Sequence, residues 1–431
     1  MDRKTKSPYN APQNGGFMSV QLNPQSPVHQ APQTEQAQSV QRTQANVETV
    51  PQDSISSAAE APSCCNSLFS FFQSLIDSIV SFFKNIFQTS SSAPIQGQGT
   101  RTQGIDVVYR TQIQPPPTTD ITSSFHNNNK LFAYQQLMQG APANALRTQF
   151  TKYALGSASA VAQTRLYPGT GAPTVQEMPG TFAYDLSTET TKYWTANFAD
   201  RNLFGFGFGG LLAQDELQIL EHPGLYHLKL HLRNQRIDHL GNNEIALIEN
   251  VHRLGNLDTQ SPLATGGTLY GNNFAAATED QIATKLTRLN PSHASNIYAM
   301  PAPRIPANLH NQPYQKQHLE QLFYPCYTAF AAAKESSGNA RCVVDIGKWG
   351  CGAFGNQHKT VAIIQLAAAI RAGVDEVRYY PLGDHDVLVD AQEVVNDITN
   401  FHTDYTVDDF LTYLADNAAT LGLRYGLGNG T

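Results

Sequence analysis

Short runs in which apolar side chains alternate with polar ones or cluster together fall at residues 105–109, 244–249, 296–300, 341–346 and 376–380, the pattern of strands. At 214–220, 315–333, 359–372 and 407–421, apolar positions recur three or four apart, as in helices buried along one face. Strands alternating with helices predict an α/β domain with a mixed or parallel sheet over residues 105–431. Ahead of it the pattern changes. Residues 64–88 place Ser70, Ser74, Asp77, Ser81, Lys84 and Gln88 at helical spacing among Phe, Leu, Ile and Val, which predicts an amphipathic helix with a wide, phenylalanine-rich face. Residues 1–62 have no period and almost no aromatic side chains. Such a segment buries too little apolar area to offset chain entropy, so a disordered tail is expected, joined through a Ser/Gln/Gly linker at 89–104.

Composition narrows the function classes. Charged residues are 15% of the 431, against about 25% in an ordinary soluble protein. With 28 Lys plus Arg against 35 Asp plus Glu the net charge is -7, and no basic block occurs, which argues against direct nucleic-acid binding. The cysteines, Cys64, Cys65, Cys326, Cys342 and Cys351, have neither the number nor the spacing of a disulfide framework or a zinc site, and no metal ligand set is visible. The charged first residues are not followed by an apolar stretch, so no cleaved secretory signal is expected, which leaves other export routes open. Asp77 and Lys84 make 64–88 a poor membrane span. Two readings stay open for it: a membrane-surface helix, aided by acylation of Cys64 and Cys65, or a helix packing on the main domain or on a partner.

Two glycine-crowded segments carry the candidate chemistry. Gly347-Lys348-Trp349-Gly350-Cys351-Gly352-Ala353-Phe354-Gly355 lies between a strand pattern and a helix pattern, where close backbone approach and unpaired N–H groups favour an anion, usually a phosphate. Phe204-Gly205-Phe206-Gly207-Phe208-Gly209-Gly210 runs into Gln214-Asp215-Glu216 and a second helix pattern, bringing paired carboxylates to the mouth of the same site. Gly350-x-Gly352-x-x-Gly355 fits the dinucleotide fingerprint formally. Its context does not: only one strand follows, and Asp375-Glu376 precedes that strand.

The segment from Val343 to Gly355, continued through Ile363-Ile364-Gln365-Leu366 to Tyr379-Tyr380-Pro381-Leu382-Gly383-Asp384, resembles the poly(ADP-ribose) glycohydrolases, which have the macrodomain fold. Asn197-Phe198-Ala199, Gly205-Phe206-Gly207-Phe208 and Ala213-Gln214-Asp215-Glu216 resemble that family's N-F-A, triple-glycine and A-Q-E-E motifs, in family order. The resemblance implies a macrodomain-like three-layer fold with a mixed sheet over residues 105 to about 400, and no cofactor. It implies that Gly205, Phe206, Gly207, Gly209 and Gly210, with Gly350, Cys351, Gly352, Ala353, Phe354 and Gly355, hold the diphosphate of ADP-ribose through backbone N–H groups. It also implies Glu216 as general acid, Asp215 and Asn197 at the ribose, and Gln214 anchoring the turn.

Three departures matter. Asp215 is one methylene shorter than the family's acid, Phe206 stands where the family has glycine, and Leu382 replaces an aromatic, leaving Tyr380 as the expected adenine neighbour. The side chains of Cys351, Trp349 and Phe354 are read as packing under their loop, and His222 and His385 as ordinary loop or surface histidines. The leading expectation is a hydrolase that removes ADP-ribose from modified protein. A reader that binds ADP-ribose without cleaving it, and an interaction module on the same scaffold, are the alternatives. A polar head, a Cys-Cys helix and an enzyme domain together resemble a bacterial effector delivered into a host cell, with a host protein as partner.

Overall fold

The computed structural model describes residues 104–169 and 171–427; the tail at 1–62, the amphipathic helix at 64–88 and the linker up to 103 lie outside the described residues. The elements are β1 (Ile105–Ile113), α1 (Asn128–Met138), β2 (Thr148–Leu155), α2 (Ala158–Ala162), β3 (Thr174–Glu177), β4 (Thr191–Ala199), α3 (Gln214–Glu221), α4 (Gly224–Asn234), β5 (Glu244–Leu257), α5 (Asn273–Ala276), α6 (Glu279–Lys285), β6 (Leu286–Pro301), α7 (Lys316–Ser337), β7 (Arg341–Gly347), α8 (His358–Ala372), β8 (Glu376–Tyr380), α9 (Asp386–Phe401) and α10 (Val407–Asp416).

One eight-stranded sheet runs in the order β1-β2-β5-β6-β4-β7-β8-β3. β1, β2, β5 and β6 pair antiparallel, whereas β6, β4, β7, β8 and β3 pair parallel. Parallel strands are covered on both faces, which is why β7, Arg-Cys-Val-Val-Asp-Ile-Gly, is buried from its second residue onward. On one face Trp194, Ala196, Leu247, Tyr298, Met300, Val344 and Ile346 pack into a core with residues of α7, α8, α9 and α10. On the other, Ala246, Ile248, Ile297 and Ala299 meet Tyr134 of α1, Ile219 and Leu220 of α3, and Tyr226 and Leu228 of α4. Helices, sheet and helices make the three-layer arrangement that the resemblance implies, on the mixed α/β sheet that the alternation predicts.

Beyond β4 that second face changes character. Thr195 and Asp345 are buried there, and Asp345 accepts from Thr195 Oγ1 at 3.0 Å and from Arg378 Nε at 2.6 Å. The irregular segment 178–187 crosses this polar stretch. Met178 N–H donates to Tyr379, Asp185 pairs with Arg378, Tyr184 sits beneath the Arg253 guanidinium, and Ser187 Oγ accepts from Tyr193 N–H and Asn296 Nδ2. Arg378 satisfies a buried carboxylate that would otherwise be costly.

The functional consequence lies in strand order. β4 and β7 are hydrogen-bonded parallel neighbours, so the glycine-rich loops that follow them leave the sheet side by side at its carboxyl end, where open α/β sheets bind ligands.

Candidate active site

α3 is laced to β4 before its first turn is complete. Gln214 Oε1 accepts from Phe198 N–H at 2.8 Å, and its Nε2 donates to the Ala196 carbonyl at 3.0 Å. Asn197 Nδ2 donates to Asp215 Oδ1 at 2.9 Å and to Gln218 Oε1 at 2.7 Å. The Asn197 Oδ1 is buried with no partner among the described residues. Glu216 Oε2 accepts from Ala213 N–H at 2.9 Å, closing the turn from the side-chain side.

Asp215 and Glu216 are 6% and 3% exposed. Burial, then the charge of Glu216, pushes the Asp215 carboxyl up to about 7, against the Asn197 bond and the Lys130 charge. Burial also raises Glu216, opposed first by Lys130 and then by the N–H groups of Glu216 and Ala213. A carboxyl that keeps its proton near neutrality can act as a general acid.

The loop at 204–210 is built inward. Gly205, Gly207 and Gly209 donate their N–H groups to Asn202, Phe204 and Phe206, three successive turns of the loop itself. Those three N–H groups are spent within the loop, and those of Phe206, Phe208 and Gly210 have no partner among the described residues. Gly207 is small for another reason: a Cβ there would lie 3.1 Å from Ile219 Cδ1, so its absence lets α3 approach. Phe204 and Phe208 are buried, Phe208 against Phe125 and Tyr226, while Phe206 is 56% exposed on the rim.

The loop at 347–355 is built outward. Trp349 is fully buried and donates Nε1–H to Met300, fixing the base of the loop. Gly350 has φ +69 and a Cβ there would fall 2.4 Å from Ala302 Cβ, so no other residue fits. Asn356 Nδ2 donates to the carbonyls of Pro303 and Gly350. The loop's own bonds use the N–H groups of Trp349, Cys351, Gly355 and Asn356 and leave those of Gly352, Ala353 and Phe354 unused. Gly352 and Ala353 are exposed, and Phe354 is half-buried beneath the Arg304 guanidinium. Cys351 is half-buried with its thiol pushed up by burial, which makes it a poor nucleophile.

Two expectations change. Tyr380 is 2% exposed, its ring edge-on to Phe182 at 4.9 Å and its hydroxyl taking the Ala183 N–H, so segment 178–187 closes it off from solvent. Leu382, φ +48 and 48% exposed, is on the surface instead. His222 is not a surface histidine: it is buried, bonded to Gln218 O and Ser295 Oγ, and held neutral by burial. His385 is exposed beside Glu177.

Sequence patterning did not single out two contributors. Lys130 of α1 is fully buried and donates to the Phe206 carbonyl at 3.4 Å, with Glu216 and Asp215 in Coulombic reach. Half-buried Tyr270, on the loop joined to Leu212 through Gly271, has Glu216 in Coulombic reach and the Gln214 backbone as a hydrogen-bond partner.

Residues 176–388, from β3 into α9 and including both loops and the acid helix, match the family described as poly(ADP-ribose) glycohydrolase, macro domain fold. Among solved structures, the poly(ADP-ribose) glycohydrolase of Thermomonospora curvata is 15% identical, with 61% of this chain and 99% of that one covered at a TM-score of 0.36. The Deinococcus radiodurans enzyme in complex with ADP-ribose is 17% identical, with 60% and 96% covered at 0.35. The Oceanobacillus iheyensis macrodomain with MES bound is 14% identical, with 54% and 96% covered at 0.32. A search of curated proteins finds no match. The match to the poly(ADP-ribose) glycohydrolase, macro domain fold, family thus spans residues 176–388, just under half of the chain.

Proposed function

We propose that this protein hydrolyses the glycosidic bond that holds ADP-ribose on a modified protein, with Glu216 as general acid. The observation that carries the reading is the buried Asp215–Glu216 pair at the start of α3, directly after the loop that follows β4, while the second glycine-rich loop follows the neighbouring strand β7. In the step, the bond from the anomeric carbon to its oxygen or nitrogen leaving atom breaks with the electron pair going to that atom, which takes the Glu216 proton. The oxocarbenium-like ribose is then captured by water, whose proton returns to the Glu216 carboxylate. Asp215, fixed by Asn197, faces the ribose, and the unused N–H groups of residues 352–354 receive the diphosphate.

The rim favours one ADP-ribose unit, or the end of a chain, over a chain interior. Phe206 and Leu382 are 56% and 48% exposed, and Phe206 adds bulk where the resembled motif has glycine. The test is calorimetry of ADP-ribose with the full chain, paired with hydrolysis of mono- and poly-ADP-ribosylated protein, on wild type and Glu216→Gln. Binding within a few-fold of wild type and turnover lower by about 10²–10⁴ are expected of the variant. Wild type that binds and never turns over is a reader, and wild type that does not bind removes the proposal.

A further inference from the structure

We propose that Lys130 is a positioning residue for the acid pair: its buried ammonium is the counter-charge that keeps one of the two carboxyls ionised while the other holds the proton the reaction uses. The inference rests on the hydrolase reading for its role in turnover, but not for its effect on the pair.

Geometry carries it. Lys130 has no solvent exposure, and among the described residues its ammonium makes one hydrogen bond, a 3.4 Å contact to the Phe206 carbonyl, at the long end for an ammonium donor. A buried ammonium with so little bonding is costly unless opposite charge stands nearby. The charges that stand nearby are Asp215 and Glu216, and they alone raise its proton affinity against the effect of burial. α1 is clamped where this requires it: Asn127 Oδ1 accepts the Lys130 N–H at 3.0 Å, His126 N–H donates to Phe208, and Asn129 Nδ2 donates to Phe274 and Ala277. The helix therefore grips both the first glycine loop and α5, although it lies outside the segment that matches the family.

The surrounding groups add no second cation. Asp200 contributes further negative charge to the pair, while Tyr226 of α4, Tyr270 and Tyr134 are phenols that burial keeps protonated. His227, bonded to Tyr134, is held neutral by burial. Within the buried trio, one ammonium, one carboxylate and one carboxylic acid sum to zero, with the half-buried Asp200 outside it.

The test is titration of the pair's carboxyl bands by infrared difference spectroscopy on the full chain, assigned with Asp215→Asn and Glu216→Gln, together with kcat/KM against pH. Lys130→Gln removes the charge and keeps a donor for the Phe206 carbonyl. Its carboxyl midpoint is expected about one to three pH units higher. Activity lost at neutral pH should return as the pH is raised by that amount, and Lys130→Arg should restore the wild-type profile. An unmoved midpoint in Lys130→Gln, or a loss equal at every pH and shared by Lys130→Arg, overturns the proposal in favour of a packing role. If Lys130→Gln does not fold, Lys130→Met takes its place in the same titration. A wild type that binds ADP-ribose and hydrolyses nothing removes the hydrolase reading, and the carboxyl titration still decides the role of Lys130.

Discussion

The two glycine-rich loops have similar compositions and opposite constructions. In the loop at 204–210 the N–H groups of Gly205, Gly207 and Gly209 close turns of the loop, and the missing side chains let α3 and α5 come close. In the loop at 347–355 crowding is greatest at Gly350, Gly355 also has a positive φ, and the tip presents unused donors at 352–354. Glycine permits close packing in the first and leaves an open tip in the second. A glycine count does not separate these uses; what the neighbouring backbone does with its hydrogen bonds does.

Three substitutions test the contrast. The largest effect is expected from Gly350→Ala, because the new methyl would fall 2.4 Å from Ala302 Cβ and 2.9 Å from Asn356 Nδ2 in a left-handed conformation. Strain and overpacking together should cost about 3–5 kcal/mol in urea unfolding. Stability within 1 kcal/mol of wild type would show that the base of the second loop is soft.

Asp215→Asn tests the end of the first loop. The folded-state pKa of Asp215 is raised, so between about pH 4 and pH 7 the folded protein holds a proton that the unfolded chain has released, and stability falls as pH rises through that window. The amide has no charge to desolvate. The variant should therefore gain on the order of 2 kcal/mol relative to wild type at pH 7, a difference that vanishes below pH 4. Equal pH slopes for the two proteins would show that the Asp215–Glu216 pair takes up no proton on folding.

The smallest effect is expected at Gly352, where an added Cβ meets nothing within 4 Å. Gly352→Ala should change stability by less than about 0.5 kcal/mol. Its ADP-ribose affinity should fall about threefold to tenfold, because the methyl stands beside the donors. Unchanged affinity would move the anion away from this tip.

What the sequence made legible follows from how apolar each element is. β8 appears at 376–380 and α8 at 359–372, within a residue of their observed bounds, because both lie in the main core and most of their buried side chains are apolar. The acid pair was legible because helix-start carboxylates next to a glycine loop form a local pattern. β4 was not, since Thr195 and Asn197 occupy its inward positions on the cleft side and erase the alternation. α1 stayed hidden for the same reason: Lys130 stands on its buried face with Ala133, Tyr134 and Leu137. The residues that hid these elements are buried polar groups, of which Asn197 and Lys130 lie beside the acid pair. The burial of Tyr380 could not be foreseen either, because segment 178–187 covers it without any regular period.

Sheet order also bears on how this protein can be handled. β1 and β2 precede the family match, yet they occupy one margin of the sheet, with β2 paired along β5 from Gln149 to Ala154. A fragment trimmed to the matched residues would bare the hydrogen-bonding edge of β5, a long strand rich in Ile, Leu and Val. Such an edge recruits other chains, so the trimmed fragment should precipitate or form inclusion bodies where the longer chain stays in solution.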